Sequence, residues 1–285
     1  MTDLPLEPFF SGAGLDRADA LRADEAALRE LAAGATARQL KWHEGLPELT
    51  PDGRLDWDSV SNPELFLGFD GETPRFCAIG PVVPDARAAF PLMAILHPED
   101  APLFAAALSL SRWHGRHRFC ASCGHSTDIV RGGWSRRCPA CSAEHFPRVD
   151  PVVIMLAEHE DRLLLGRQPQ YPAGRYSALA GFVEVGENLE AAVARELFEE
   201  AGIRVRGVRY VASQPWPFPS QLMIACIATV ADETVTLDLA ELEDAKWVDR
   251  NDVAAALAGD AEAAFGAPPR YAIANSLFRA WLVES

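Results

Sequence analysis

The chain has 285 residues, 49% hydrophobic and 24% charged, enough for two or three compact cores and too apolar for wholesale disorder. Its net charge of −15 opposes unspecific binding to nucleic acid, which draws on Lys and Arg, but not a polyanion held through a divalent cation. No apolar run reaches the length of a membrane span, and Met1 to Phe10 lacks the basic and apolar parts of a signal peptide; a cytoplasmic protein without membrane association is expected.

In chain order, residues 1–115 carry mixed signals and are expected to form an α+β domain. Ala20 to Leu40 reads as a helix rich in Ala, Leu, Glu and Arg. Glu64 to Asp70 and Arg75 to Gly80 read as strands around an Asp70-Gly71 turn. Ala101 to His117 reads as a helix. No catalytic constellation stands out in this stretch: His43, Asp56 and Asp58 read as solvated loop residues and Cys77 as packing.

Residues 116–147 are organised by cysteines. Cys120, Cys123, Cys138 and Cys141 form C-x2-C-x14-C-x2-C, the paired-knuckle spacing of a zinc ribbon. Gly124 eases the first knuckle, and Gly132-Gly133 marks the hairpin between the pairs. Four thiolates close a tetrahedral shell, so the expected metal is one structural zinc per chain. Two disulfides or a redox CxxC are the alternatives.

Residues 148–285 read as a mixed α/β layer structure with two helices. Strands are expected over Val152 to Leu156, Arg162 to Gly166, Tyr176 to Ala180, Val205 to Ser213, Met223 to Val230 and Ala245 to Val248. Tyr271 to Leu282 reads as the last helix, and Val253 to Ala267 as alanine-rich but mixed. The informative segment is Gly181 to Ile203, GFVEVGENLEAAVARELFEEAGI. Asn188 suits an N-cap and Gly202 the left-handed position after the helix, with Ile203 closing the end. Leu189, Val193 and Leu197 supply a buried stripe. Glu196, Glu199 and Glu200 fall at i, i+3 and i+4, on one face, near a C-terminus whose dipole disfavours them. A hard divalent cation would relieve that conflict and could carry a phosphate. The alternative is a solvated acidic face.

Past this helix, Ser213 to Met223 reads SQPWPFPSQLM. Three prolines alternate with Trp216 and Phe218, giving a stiff loop expected to present aromatic faces to a base or pyridine ring. A rigid connector or a ligand for a Pro-binding domain is the alternative.

The helix segment resembles the Nudix box, G-x5-E-x7-R-E-U-x-E-E-x-G-U with U a bulky apolar residue. Gly181, Glu187, Arg195, Glu196, Leu197, Glu199, Glu200, Gly202 and Ile203 meet every fixed position. With the four-cysteine ribbon ahead of it and the Pro-aromatic loop behind, the chain resembles the NADH pyrophosphatase (NudC-like) subfamily of Nudix hydrolases. The resemblance implies an α/β/α sandwich preceded by a zinc ribbon and a divergent N-terminal domain. It implies hydrolysis of the NADH or NAD⁺ pyrophosphate to AMP and nicotinamide mononucleotide, with removal of 5′ NAD caps from RNA as a second activity. It assigns Glu196, Glu199, Glu200 and Glu241 to catalytic Mg²⁺ or Mn²⁺ and pairs Glu187 with Arg195; Glu200 is expected to lie closest to the attacking water, as metal ligand or as base. It assigns Phe146, Gln214, Pro215, Trp216, Pro217, Phe218, Pro219, Ser220, Gln221 and Ala274 to the dinucleotide, and it implies a homodimer. One departure concerns Gln221, where the subfamily carries Ser before Leu-Met. The rival readings are a Nudix hydrolase for ADP-ribose or another nucleoside diphosphate derivative, and a catalytically inactive zinc-ribbon nucleic-acid-binding protein.

Overall fold

A computed structural model describes residues 8–11, 15–80 and 86–283. The chain divides into two compact units. One is built on Phe10–Val149 and takes in Pro215–Ser220; the other is built on Asp150–Gln214 and Gln221–Ser285.

The first unit holds β1 (Leu15–Asp16), α1 (Glu25–Ala33), β2 (Arg38–Leu40), β3 (Trp42–His43), β4 (Leu46–Pro47), β5 (Trp57–Asp58), β6 (Leu65–Asp70), β7 (Thr73–Cys77), α2 (Phe90–Ile95) and α3 (Ala101–Arg116). A sheet runs in the order β1-β6-β7-β2-β5. The helix expected over Ala20 to Leu40 is shorter. The Asp24 side chain caps α1 by accepting from the amides of Ala26 (3.1 Å) and Ala27 (3.0 Å), and the helix stops before Gly34. Arg38–Leu40 then turns into a strand beside β7. The β6–β7 hairpin and α3 form as expected, except that the strand read at Arg75 to Gly80 runs Thr73–Cys77, the stretch that pairs with β6, and Cys77 is fully buried in packing.

The ribbon belongs to this unit. Its strands β8 (Asp128–Val130), β9 (Ser135–Arg137) and β10 (Glu144–His145) form an antiparallel sheet centred on β9. Gly132 and Gly133, at φ 56° and 88°, turn the β8–β9 hairpin in the left-handed region that glycine tolerates. His114 of α3 locks this hairpin: Arg136 Nη1 donates to its Nδ1 (3.0 Å), and its Nε2–H donates to the Gly133 carbonyl (2.8 Å). Since arginine can only donate, the pair fixes one neutral tautomer. Burial, with the Arg136 charge beside it, pushes the His114 pKa down to about 4, which keeps that tautomer at neutral pH.

The second unit is a sandwich. Strands β11 (Asp150–His159), β12 (Arg162–Arg167), β13 (Leu179–Phe182), β14 (Val205–Trp216), β15 (Gln221–Val230) and β16 (Asp244–Val248) share one sheet. Its order is β14-β15-β11-β12-β16, with β13 paired to β11. The β11–β15 pair is parallel over Asp150↔Gln221 to Glu158↔Thr229. Alternation along the strands sorts side chains between two cores. Val153, Met155, Ile224 and Cys226 face α4 (Leu189–Ala201) through Ala192, Val193 and Leu197. Ile154, Leu156, Ala225 and Ile227 face α5 (Arg250–Ala258) and α6 (Ile273–Val283) through Val253, Leu277, Phe278 and Trp281.

Two expectations are corrected here. Among the described residues this unit has three α-helices, not two. The alanine-rich stretch opens with α5, whose Asp249–Asp252 capping box and left-handed Gly259 outweigh its weak apolar stripe. The strand read at Tyr176 to Ala180 instead runs Leu179–Phe182, because Val152↔Phe182 to Met155↔Leu179 register it on β11.

Candidate active site and metal centres

The Gly181–Ile203 segment folds as its sequence suggested. Asn188 caps α4 by accepting from the Ala191 amide (2.9 Å). Gly202 sits at φ 70°, and the Ile203 amide reaches back to the Leu197 carbonyl (3.1 Å). Leu197 is fully buried in the α4 core.

Three carboxylates of α4 now have distinct surroundings. Arg195 grips Glu187 with both arms (Nε to Oε1 and Nη2 to Oε2, each 2.9 Å). Its Nη1 also donates to Glu196 (2.8 Å) and Glu199 (2.9 Å), and its Nη2 donates to the Phe182 carbonyl (2.9 Å). Arg195 therefore offsets the repulsion between Glu196 and Glu199 that the helix spacing creates. Glu200 has no such cation. It is 2% exposed, and its Oε1 has no hydrogen-bond partner. Burial first, then the charges of Glu196 and Glu241, push its pKa up to about 8.

Glu241 reaches this cluster from a loop, not from the helix. The Asp238 amide donates to the Glu200 carbonyl (2.9 Å) and the Thr236 amide to that of Ala201 (2.8 Å), so the loop closes the last turn of α4. Leu242, 2% exposed, anchors the loop in the core, and exposed Glu241 precedes it. Its charge acts on both Glu196 and Glu200.

Gly181 is required for steric reasons. A Cβ built there would lie 1.8 Å from Glu196 Cδ and 2.0 and 2.1 Å from its carboxylate oxygens. The Glu196 carboxylate thus rests on the bare backbone of β13. Glu200 is thus a buried carboxylate with an unpartnered oxygen that feels the charges of Glu196 and Glu241, while among the described residues the group that converges on a metal position is the four ribbon cysteines. Sequence reasoning missed Tyr171. The Glu200 charge raises the pKa of its phenol, after burial, so Tyr171 lies beside this cluster. It comes from the loop between β12 and β13, for which no motif gave a signal.

The proposed substrate residues are placed unevenly. Gln214 is fully buried, its Nε2 donating to the Tyr271 carbonyl (3.1 Å), and Ala274 is 2% exposed in the α5–α6 core. Strand β14 runs on through Pro215 and Trp216, and β15 begins at Gln221, so the loop is shorter than expected. Pro215 is tolerated because β14 is an edge strand. In the first unit the loop nests among aromatics. Trp216 meets Phe10 edge-on at 6.0 Å and Phe90 at 6.3 Å, and Phe218 meets Phe90 at 5.6 Å. Phe218 is 8% exposed, Pro217 is buried and Trp216 half-buried, whereas Pro215 and Pro219 are exposed and Ser220 and Gln221 half-buried. Buried Arg112 of α3 donates to the Pro217 carbonyl (2.9 Å). The aromatic faces expected to await a ligand are thus partly used in packing. Phe146, after β10, is exposed at 62%.

The ribbon cysteines converge. One ligand atom from each of Cys120, Cys123, Cys138 and Cys141 lies within 4.8 Å of all the others. Cys120 and Cys141 sulfurs are 3.6 Å apart and those of Cys123 and Cys138 3.5 Å, too far for a disulfide and near the roughly 3.8 Å edge of a tetrahedral zinc–sulfur site. The four cysteines can therefore coordinate one zinc ion. His145 Nε2 stands 3.3 Å from Cys120 Sγ. Cys138→Ser should cost folding before it costs chemistry, because the shell is closed. Metal analysis after dialysis should find about one zinc per native chain, and the variant should lose it and melt earlier. A folded native protein without stoichiometric zinc would contradict the assignment.

Comparison with known proteins agrees with this arrangement. Residues 147–267 match the NUDIX domain model and residues 116–146 the NADH pyrophosphatase zinc ribbon domain model. The chain is similar to the NAD-capped RNA hydrolase NudC of Mycobacterium bovis, 36% identical over 297 residues, covering 96% of this chain and 94% of that protein. It is similar to human NAD-capped RNA hydrolase NUDT12, 44% identical over 202 residues, covering 67% of this chain and 44% of NUDT12. Human mitochondrial NAD(P)H pyrophosphatase NUDT13 is 40% identical over 198 residues, 66% of this chain and 56% of NUDT13. The chain thus spans about half the length of the animal relatives it matches. Fold and site together define a Nudix protein, a mixed α/β chain in which a zinc ribbon precedes an α/β/α Nudix core. The chain belongs to the Nudix hydrolase family, in the ribbon-bearing group related to the NAD(H) pyrophosphatases.

Proposed function

We propose that this protein hydrolyses the pyrophosphate bond of NADH and NAD⁺, releasing AMP and nicotinamide mononucleotide, and that it removes 5′ NAD caps from RNA. The observation that carries the reading is Glu200, buried with an unpartnered oxygen beside Glu196 and Glu241. The NAD-cap and NAD(P)H hydrolysis for which NudC, NUDT12 and NUDT13 are named supports the substrate class.

In this reading Glu196, Glu199, Glu200 and Glu241 hold Mg²⁺ or Mn²⁺. Such an ion neutralises the diphosphate and lowers the pKa of bound water. Glu200 receives the proton of the attacking water, and burial keeps its carboxylate poorly solvated and therefore basic. Arg195 holds Glu187, Glu196 and Glu199 in place. Phe146, residues 214–221 and Ala274 select the dinucleotide in this reading. We read the domains as 1–115, 116–147 and 148–285, and the assembly as a cytoplasmic homodimer. Among the described residues no helix is long and apolar enough to cross a membrane.

The test is an equimolar panel of NADH, NAD⁺, ADP-ribose, ADP-glucose and diadenosine tetraphosphate with Mg²⁺ or Mn²⁺, resolved by chromatography. NADH and NAD⁺ should be consumed first. A clear preference for ADP-ribose would overturn the substrate but not the family. Trp216→Ala should weaken NADH use selectively, by a factor matching about 1–3 kcal/mol of stacking. Since Trp216 also packs on Phe10 and Phe90, equal losses on NADH and on a pyrophosphate lacking nicotinamide would assign it to the fold alone.

A further inference from the structure

The charge of this protein is unevenly spread. Between residues 116 and 148 stand six arginines, Arg116, Arg118, Arg131, Arg136, Arg137 and Arg148, against two acids, Asp128 and Glu144, in a chain of net charge −15. A four-thiolate zinc centre would add two negative charges, and the cations would still be in excess. The function proposed above uses none of these arginines.

Two short strings meet on the ribbon. Arg116-His117-Arg118-Phe119 leads into the first knuckle, and His145-Phe146-Pro147-Arg148 follows the last strand. The contact of His145 Nε2 with Cys120 Sγ (3.3 Å) brings them side by side. Arg116, Arg118 and Arg148 are exposed, and so are Phe119 at 64% and Phe146 at 62%. Among the described residues, Arg116 and Arg118 have no carboxylate partner. Instead they stand near buried arginines: the Arg116 charge acts on Arg112, and that of Arg118 on Arg136. Arg131 and Arg137 are paired with Asp19 (3.0 Å) and Glu144 (3.5 Å) and Asp128 acts on Arg136, which leaves Arg116 and Arg118 as the exposed cations to which a polyanion could add favourable contacts.

Resting on the function proposed above, we infer that this ribbon surface binds the single-stranded RNA that follows a 5′ NAD cap, Arg116 and Arg118 taking backbone phosphates and Phe119 stacking on a base. Interleaved cations and exposed aromatic rings are the chemistry of single-strand recognition. A membrane would use the arginines but gives no reason for a ring held out between them. A protein partner would favour a broader apolar core with fewer charges.

The test uses the full-length zinc-loaded protein and a fluorescent single-stranded RNA of about ten nucleotides carrying a 5′-monophosphate, read by anisotropy across salt concentrations. Arg116→Ala/Arg118→Ala should weaken binding at least about tenfold and reduce the slope of log K against log salt by roughly 0.7 per lost phosphate contact. Phe119→Ala should weaken binding to the single strand more than to a duplex. Zinc content and NADH turnover should stay native, while kcat/KM on NAD-capped RNA falls. Unchanged RNA affinity and salt slope in the double variant would overturn the inference. So would weakened binding to anionic vesicles, or an altered oligomeric mass, with RNA affinity intact. If the native protein fails to split NADH but the arginine variants still lose RNA, the catalytic reading falls and the surface stands.

Discussion

Gly181→Ala is expected to lower turnover of the metal-loaded protein at least about 10²-fold, with the Nudix unit still folded. The added methyl would lie 1.8 Å from the Glu196 carboxyl carbon, so the two cannot share the space. Gly181 is not among the positive-φ glycines, so alanine brings no backbone strain there. Either the Glu196 side chain or strand β13 must therefore give way. β13 is registered on β11 through Val153↔Gly181 and its neighbours, with Val153 fully buried. The Glu196 carboxylate is held by one arm of Arg195 and is the softer element. On the proposed function Glu196 and Glu200 would hold one ion, and displacing Glu196 by an ångström or more would cost about 10²-fold. The checks are kcat with NADH, a Mn²⁺ titration and a melting curve. Near-native turnover would show that Glu196 is not held where catalysis needs it; a collapse of the melting temperature with no folded fraction would place the clash on β13 instead.

Sequence made the Nudix core legible where local rules and the fold agree. Asn188, Gly202 and the Leu189–Val193–Leu197 stripe each point to the same helix, and the structure forms it. The cysteine spacing works for the same reason, since each knuckle is local. What escaped was set by long-range contact. Nothing around Gly181 announces that the side chain of Glu196, fifteen residues on, will occupy the place of its missing Cβ. The Ala20 to Leu40 stretch has helical composition throughout, yet Asp24 and Gly34 delimit a shorter helix and β7 draws Arg38–Leu40 into a strand. The Pro-aromatic loop reads in sequence as a stiff surface presenting aromatic faces, because prolines alternate with aromatics. Its burial depends on Phe10, Phe90 and Arg112, which lie far away in sequence. Tyr171 likewise reaches Glu200 only through the fold.

The uneven treatment of the α4 carboxylates bears on how the chain tolerates its own active site. Glu196 and Glu199 share Arg195, so their repulsion is offset without an ion. Glu199 is also 58% exposed, and solvent screens it. Glu200 is left as the buried, uncompensated group. On the proposed function, this pairs a frame that Arg195 keeps assembled with one carboxylate, Glu200, that keeps an unpartnered oxygen for an ion.

Glu200→Gln should therefore abolish most turnover, by at least about 10²-fold, and at the same time make the metal-free protein less sensitive to alkaline pH. The swap keeps size and removes the charge that holds an ion or takes a proton. Burial, Glu196 and Glu241 hold the Glu200 pKa at about 8 against an ordinary 4.5. A folded-state pKa above the unfolded one gives stability that is fully present below about pH 4.5 and is lost as pH rises through about 8. With the ribbon zinc in place and no added Mg²⁺ or Mn²⁺, native stability should decline across that window, and the glutamine variant should lose that part of the decline. Adding Mn²⁺ should reverse the native decline, because the ion favours the carboxylate and releases its proton, and should do little for the variant. Denaturant unfolding at a series of pH values, with and without Mn²⁺, reads both effects. A variant with native turnover would remove Glu200 from the chemistry, and identical pH profiles for the two proteins would show that the Glu200 carboxyl is not held protonated in the metal-free fold.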